Sequence, residues 1–437
     1  MNFVSGIPQP ATDIRALADS GENARLHGVI HNIRNMGEFS FVILSTAHDV
    51  VQCVYSPEFS QFALQDIREG DWVEFTGRAV KEERAENGFE IRLLQAKVFS
   101  SPAEELPFAI NKKVLKLNID TNLNYRPLTL RNPAQRAIFR VQEGVAAGFT
   151  EYMRSQGFTE IHSPKIVRAG AEGGANIFKL DYFDTVAYLA QSPQFYKQTM
   201  VGVFERVFEV GPVYRAERHN TSRHLNEYIG LDFEMGFIRS MEEVMEMETA
   251  MLWHVVSYLK AHYAPELSLL KARLPEVAPM PVVTFTEARE ILIARGRRPG
   301  KWDLEPDDEL ALCDWARETH GTEFIYITRF PAAKRPFYAM DDPQDDTFAL
   351  SFDLLFRGLE ITTGGQRVHD YAMQVEKMKR MGLDPADFES YLMIHKYGMP
   401  PHGGLGIGLE RLTMKLLGLK NVREASLFPR DIGRLEP

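Results

Sequence analysis

The chain runs to 437 residues, 44% hydrophobic and 25% charged, with a formal net charge of −10. That size suits two or three globular domains; no apolar run is long enough to cross a bilayer, and residues 1–20 lack the basic head and apolar stretch of a secretory signal, so a cytoplasmic protein is expected. Two cysteines, Cys53 and Cys313, far apart and without ligand-type neighbours, argue against a disulfide framework or a zinc site, and the acid excess argues against nucleic acid as a partner unless a basic surface is local.

In chain order, the first hundred residues read as β-structure. Five runs have strand-like composition, at 25–30, 39–44, 50–55, 72–76 and 89–94, and Gly28, Gly37, Gly70, Gly77 and Gly88 punctuate them. Five short strands in this length predict a small barrel of the OB-fold kind, either a structural module or a platform for single-stranded nucleic acid. Residues 100–107 carry Pro and Glu without periodicity and read as a linker. The predicted organisation is therefore a barrel over 1–100, a linker or hinge over 101–130, and one large α+β domain over 131–437. In that domain Ile138, Val141, Val145, Phe149 and Tyr152 recur at spacings of three and four, an amphipathic helix that Gly157 ends. Strand-like and helical runs then alternate, and the Pro-containing stretch 264–281 reads as a surface excursion.

Three constellations carry chemistry. Val207-Phe208-Glu209-Val210 reads as a strand, followed by a basic loop with Arg215, Arg218, Arg223 and His224, and then by a second apolar run to Phe237. Such a hairpin is either a solvated loop or a cage of guanidinium forks for a polyphosphate. Gly403-Gly404-Leu405-Gly406-Ile407-Gly408, running into Leu409-Glu410-Arg411, is either a tight strand-to-helix junction or a helix entry that receives an anion; it is neither a Walker A loop nor a Rossmann turn. Asp353 and Glu360, seven apart on what reads as one strand, face opposite ways if it is regular. A bend at Gly358 brings them together as a magnesium site, and otherwise they are surface acids.

Taken jointly and in this order, these segments resemble the class II aminoacyl-tRNA synthetases. Residues 157–164, ending Ser163-Pro164, look like motif 1; Tyr214-Arg215-Ala216-Glu217 looks like motif 2; residues 404–411 look like motif 3. Within the class, Gln191-Ser192-Pro193-Gln194-Phe195-Tyr196-Lys197-Gln198, Arg223-His224-Leu225-Asn226-Glu227, Gly364-Gly365-Gln366-Arg367 and Leu427-Phe428-Pro429-Arg430-Asp431 resemble aspartyl-tRNA synthetases of the archaeal and eukaryotic kind. The length leaves no room for the extra domain of the usual bacterial form.

The resemblance implies a fold: an N-terminal OB-fold barrel joined to a catalytic domain built on an antiparallel sheet flanked by helices. It implies an ATP- and Mg2+-dependent ligase of protein synthesis, a homodimer, that activates L-aspartate and loads it on tRNA(Asp). Arg215 and Arg411 would be the catalytic arginines, and Glu217, Arg223, His224, Tyr228 and Glu360 would complete the ATP site. Asp353 and Glu360 would hold the magnesium. Glu172, Ser192, Gln194, Lys197, Asp232 and Arg367 would hold the aspartate, with Lys197 and Arg367 facing its side-chain carboxylate. His31, Arg34, Phe41 and Gln52 would contact the anticodon. His31 stands where relaxed archaeal enzymes carry histidine and discriminating ones tryptophan, which adds tRNA(Asn) as an acceptor, although the 83–88 loop lacks the proline that accompanies the relaxed form.

Two other readings compete. An asparaginyl-tRNA synthetase shares the scaffold but needs no cationic pair, and it typically lacks a lysine at position 197 and carries serine where Gly365 stands. A non-catalytic synthetase-like binding protein would have lost motif arginines or the barrel, and both are present here.

Overall fold

The computed structural model describes residues 23–47, 50–85, 88–112, 114–168, 176–218 and 221–436. The chain divides into two compact units, one formed by residues up to Leu117 with Pro127–Pro133, the other by Asn118–Arg126 with Ala134–Pro437.

In the first unit β1 (Asn23–Asn35), β2 (Ser40–Ser45), β3 (Val50–Tyr55), β4 (Trp72–Lys81) and β5 (Phe89–Ser100) close a barrel in the order β1-β2-β3-β5-β4. Alternation drives it: Val42 and Leu44 of β2 point into a core with Leu26, Ile30, Val51, Cys53, Phe75, Ile91 and Leu93, while Phe41 and Ile43 face outward and are half-buried. The five predicted strands are present. The glycines play two roles, however. Gly37, Gly70 and Gly88 take positive φ in turns, whereas Gly28 and Gly77 lie inside β1 and β4. A Cβ there would sit 2.4 Å from the Ser45 carbonyl oxygen and 2.5 Å from that of Arg92. They admit close strand approach; they do not end strands.

The second unit is organised by an eight-stranded sheet of order β12-β13-β16-β17-β18-β11-β10-β6. Its strands are β6 (Thr159–Glu160), β10 (Arg206–Tyr214), β11 (Glu227–Gly236), β12 (Val282–Thr284), β13 (Phe324–Thr328), β16 (Ser351–Phe356), β17 (Glu360–Gln366) and β18 (His402–Gly408). Only the edge pairs β12–β13 and β10–β6 are parallel. A small sheet of β7 (Ile166–Val167), β9 (Thr185–Leu189) and β8 (Lys179–Tyr182), and a hairpin of β14 (Asp341–Asp342) and β15 (Asp345–Ala349), stand apart.

One face of the large sheet carries the core. Leu231 and Phe233 of β11, Leu405 and Ile407 of β18, and Leu354 and Phe356 of β16 pack with Val141, Val145, Phe149 and Met153 of helix Pro133–Ser155 and with Leu252, Val255 and Leu259 of helix Glu242–His262. Phe324 and Phe356 stack with centroids 4.1 Å apart. The opposite face is thereby free for polar residues at the intervening positions.

Two expectations change. Residues 351–360 are not one strand: β16 and β17 form a hairpin, and Arg357 and Gly358 both adopt positive φ in the turn. The 264–281 excursion contains helix Ala264–Leu270, whose Leu267 is buried in the core. A Pro-rich segment folds back because it carries its own apolar anchor.

Candidate active site

The polar face of the sheet floors a cavity of ≈ 330 Å3. Its lining brings together Ser192, Gln194, Lys197, Arg215, Glu217, Arg223, His224, Tyr228, Asp232, Glu360, Arg367 and Arg411, residues scattered over more than two hundred positions of sequence. Asp353 does not line it, and Glu172 lies outside the described residues.

Register explains the convergence. In β11, Asp232 and Glu234 alternate with the core residues Leu231 and Phe233, so both acids reach the cavity side. Opposite them in β18 stand Gly406 and Gly404. A Cβ on Gly404 would lie 2.3 Å from Glu234 Oε2, and one on Gly406 would lie 2.9 Å from Asp232 Oδ1. The glycine run is thus a strand whose missing side chains make room for two carboxylates.

Those carboxylates anchor two buried cations. Lys197, in helix Gln194–Phe204, donates to Asp232 Oδ1 at 2.9 Å and to the Leu405 carbonyl oxygen at 2.7 Å, and its Nζ lies 3.5 Å from Glu234 Oε2. Arg367 donates through Nε to Glu234 Oε1 at 2.8 Å and through Nη2 to the Gly404 carbonyl oxygen at 2.8 Å. Its Nη1 makes no hydrogen bond among the described residues. Burial works against charge on Glu234, but Arg367 and Lys197 outweigh it and hold the carboxyl below its usual range. For Asp232 burial wins and raises the pKa despite Lys197. Glu234 was missed in the sequence, although its place two residues after Asp232 on one strand was the available signal. Gln198, His402 and Tyr391 continue the network: Gln198 Nε2 lies 2.9 Å from His402 Nε2, and the Tyr391 hydroxyl 3.4 Å from Gln198 Oε1.

At the other end the β10–β11 hairpin holds Arg215 at its mouth. Asn226 donates to the carbonyl oxygens of Arg215 and Glu217, at 2.7 and 3.0 Å, and fixes the turn. The Arg215 guanidinium lies 5.8 Å from the Tyr228 ring centre and its Nη1 4.0 Å from Glu217 Oε1. His224 lies 3.6 Å from Glu217 and bonds Thr221 at 2.6 Å. Arg411, from helix Leu409–Leu417, donates to the carbonyl oxygens of Arg223 and Glu360 at 3.2 and 3.1 Å. Cations from the hairpin and from this helix line one end of a single cavity.

Asp353 and Glu360 occupy adjacent strands of the β16–β17 hairpin, where a bulge between Leu354 and Leu355 shifts the register. Asp353 Oδ2 accepts from Arg335 at 2.8 Å, and its Oδ1 is buried without a partner among the described residues. Burial pushes the Asp353 carboxyl up to about 6; Arg335 opposes this and Glu360 adds to it. Two crowded carboxylates with an unspent oxygen suit a divalent cation that takes its remaining ligands from phosphate oxygens and water.

The comparisons with known proteins bear on this arrangement. Residues 118–432 match the family model described as tRNA synthetases class II (D, K and N), and residues 24–99 match an OB-fold nucleic acid binding domain. This chain belongs to the class II aminoacyl-tRNA synthetases. It is 46% identical over 424 residues to the Aspartate--tRNA(Asp/Asn) ligase of Deinococcus radiodurans, covering 95% of this chain and 96% of that one. It is 45% identical over 421 residues to the enzyme of the same name from Thermus thermophilus, covering 96% and 98%. The asparaginyl-tRNA synthetase of Pyrococcus horikoshii, solved with asparaginyl-adenylate, superposes with a TM-score of 0.88 at 29% identity, covering 95% of this chain and 96% of that one. The barrel, the large sheet and its helices are therefore those of a synthetase of this class.

The barrel of the synthetase presents Arg34 opposite Phe41 and Ile43 opposite Gln52 on the outer face of β1, β2 and β3. Phe41 packs edge-on against Phe39 at 5.2 Å, outside the core. Gln52 donates to Glu90 Oε2 at 3.4 Å. His31 is the extra residue of a bulge between Ile30 and Asn32. No helix among the described residues is long and apolar enough to cross a membrane.

Proposed function

We propose that this synthetase activates L-aspartate with ATP and transfers it to tRNA(Asp), with tRNA(Asn) as a second acceptor. The observation that carries the reading is the pair of buried cations, Lys197 and Arg367, that meet on Glu234 at the wall of the cavity. A desolvated cation is costly to keep unless anions complete it. Here Asp232 and Glu234 hold the pair in place, and the Nη1 edge of Arg367 remains for a further carboxylate. A carboxylate gains charge-assisted hydrogen bonding from that edge, whereas a neutral amide offers it only a carbonyl oxygen. The superposition on an asparaginyl enzyme leaves the amino acid open, since both share the scaffold, whereas the names of the Deinococcus and Thermus relatives support aspartate and both tRNAs.

The reaction needs no protein nucleophile. The aspartate α-carboxylate attacks the α-phosphorus, pyrophosphate leaves, and a ribose hydroxyl of the terminal adenosine then attacks the adenylate; positioning and charge neutralisation are what the protein supplies. Arg215 brings α-phosphate and carboxylate together, Glu217 accepts from the adenine amino group, and Tyr228 and Arg411 stack on the ring. Arg411 also reaches the γ-phosphate, and Arg223 with His224 steadies the leaving pyrophosphate. Ser192, Gln194 and Glu172 hold the α-ammonium group. Asp353 and Glu360 would hold Mg2+, which would supply charge neutralisation and a template for the polyphosphate. His31, Arg34, Phe41 and Gln52 grip unstacked anticodon bases. The enzyme acts in the cytoplasm as a homodimer paired through residues 157–164.

Pyrophosphate exchange and charging in all four combinations of aspartate or asparagine with tRNA(Asp) or tRNA(Asn) test the reading. Exchange with aspartate alone and charging of both tRNAs are expected. Lys197→Ala is expected to lower aspartate-dependent exchange by at least about a hundredfold, because it removes a buried charge from beneath the substrate carboxylate. Near-normal exchange in a folded variant would overturn the assignment.

A further inference from the structure

We infer that Glu309 is a positioning residue for the polyphosphate end of ATP, holding the Arg223 guanidinium against the turn that presents Glu360. Glu309 sits in the first turn of helix Pro306–His320, which starts from Glu305 with a capping box to Asp308 and proline at its first position. It does not line the cavity, but Arg223 does. Arg223 Nη1 donates to Glu309 Oε2 at 2.8 Å, with side-chain exposures of 24% and 12%, so the pair is shielded enough to fix geometry. Arg223 Nη2 donates to the Gly358 carbonyl oxygen at 2.9 Å. One guanidinium thus bridges the helix start and the β16–β17 turn. The next residue, Leu310, closes the same junction: a Cβ on Gly358 would lie 2.7 Å from Leu310 Cδ1. Arg411 completes the frame by donating to the backbone carbonyls of Arg223 and Glu360.

With Nη1 and Nη2 committed to these acceptors, the Nε side of Arg223, which makes no hydrogen bond among the described residues, stays available to a phosphate oxygen. Glu309 touches no substrate in this arrangement. It sets which edge of Arg223 is offered and keeps Glu360 beside it. Helix Pro306–His320 lies outside every segment that marked the family in the sequence, so its link to the nucleotide end is visible only in three dimensions.

The inference rests on Arg223 gripping the pyrophosphate end. Glu309→Ala, Glu309→Gln, Arg223→Ala and the Glu309→Ala/Arg223→Ala double variant are compared in ATP–pyrophosphate exchange. Glu309→Ala is expected to raise the KM for ATP and for pyrophosphate about tenfold, with kcat and the KM for aspartate changed by less than about twofold. Glu309→Gln, which keeps an acceptor, gives a smaller rise and serves as the readout if the alanine variant does not fold. The double variant is no worse than Arg223→Ala alone. An unchanged KM for ATP in Arg223→Ala removes the phosphate role of Arg223 and this inference with it. If Arg223→Ala weakens ATP but the Glu309 variants do not, or if the two effects multiply, Arg223 keeps its role and the positioning role of Glu309 is overturned.

Discussion

Buried acids in this chain divide by what faces them. Glu234 is fully buried yet stays charged, because Lys197 and Arg367 meet it. Glu248, equally buried in helix Glu242–His262, faces no cation among the contributors to its charge state; it accepts from the Tyr326 hydroxyl at 3.0 Å, and its Oε1 has no hydrogen-bond partner among the described residues. Burial pushes its carboxyl up to about 8. Glu248 is therefore protonated in the folded chain at neutral pH but ionised in the unfolded one. Between the unfolded pKa of 4.5 and the folded value of about 8 the native state binds more protons, so this group's stabilisation is complete below the first and is lost as pH rises through the second. Glu248→Gln is expected to match the parent at pH 5 and to exceed it by roughly 1–3 kcal/mol at pH 8, measured by urea denaturation at both values. A parent and variant that fall in parallel would show that Glu248 is ionised when folded. The sequence distinguishes these two acids only halfway. Glu234 could be placed on the site face by strand alternation from Asp232, whereas a glutamate in an amphipathic helix reads as solvent-facing. Lys197 shows the same limit from the other side: on its helix alone it reads as a surface lysine, and only the segment around it identifies it.

The β16–β17 hairpin decides where the second carboxylate goes. Both strands were visible as one apolar and acidic run, and Gly358 was visible as a bend. The reversal itself was hidden because Arg357, a non-glycine residue, also takes positive φ. Its guanidinium is held in that conformation by Glu323 at 2.7 Å and by the Lys415 and Arg273 carbonyl oxygens at 2.6 and 2.7 Å. Tertiary contacts at three distant positions therefore supply the turn that local chemistry does not announce. Gly358 has φ +75°, and an added Cβ would meet the Leu310 side chain at 2.7 Å and its Cα at 3.1 Å. Gly358→Ala is expected to cost roughly 1–3 kcal/mol of stability, read from the shift of the denaturation midpoint, and to raise the KM for ATP while leaving that for aspartate unchanged. The split follows from position: the turn carries Glu360 and the Arg223 acceptor, whereas the cations proposed for aspartate stand on helix Gln194–Phe204 and just past the far end of β17, seven residues beyond Glu360. The motif 3 glycines teach a related lesson. Their spacing was legible, but their purpose was not, since admitting Glu234 and Asp232 depends on the register of a strand about 170 positions earlier.

At the scale of the molecule, the two units carry the residues proposed for different steps. Every residue assigned to ATP and aspartate belongs to the second unit, and every residue assigned to the anticodon belongs to the barrel. Activation should then be indifferent to the barrel surface, while transfer should depend on it. Phe41 gives a clean test, because β2 alternation sends Val42 and Leu44 inward and leaves Phe41 on the outer face beside Phe39 and across from Arg34. Removing its ring leaves the barrel core intact. A base stacked on an aromatic side chain is worth about 1–3 kcal/mol, so Phe41→Ala should lower kcat/KM for tRNA charging roughly tenfold to a hundredfold. ATP–pyrophosphate exchange with aspartate, run without tRNA, should be unchanged. The loss should fall equally on tRNA(Asp) and tRNA(Asn), since stacking is tolerant of sequence, whereas substitution at the His31 bulge should separate the two. Charging by Phe41→Ala at the parent rate would move the anticodon contact off this face, and a matching fall in exchange would mean that the barrel surface acts on the catalytic unit itself.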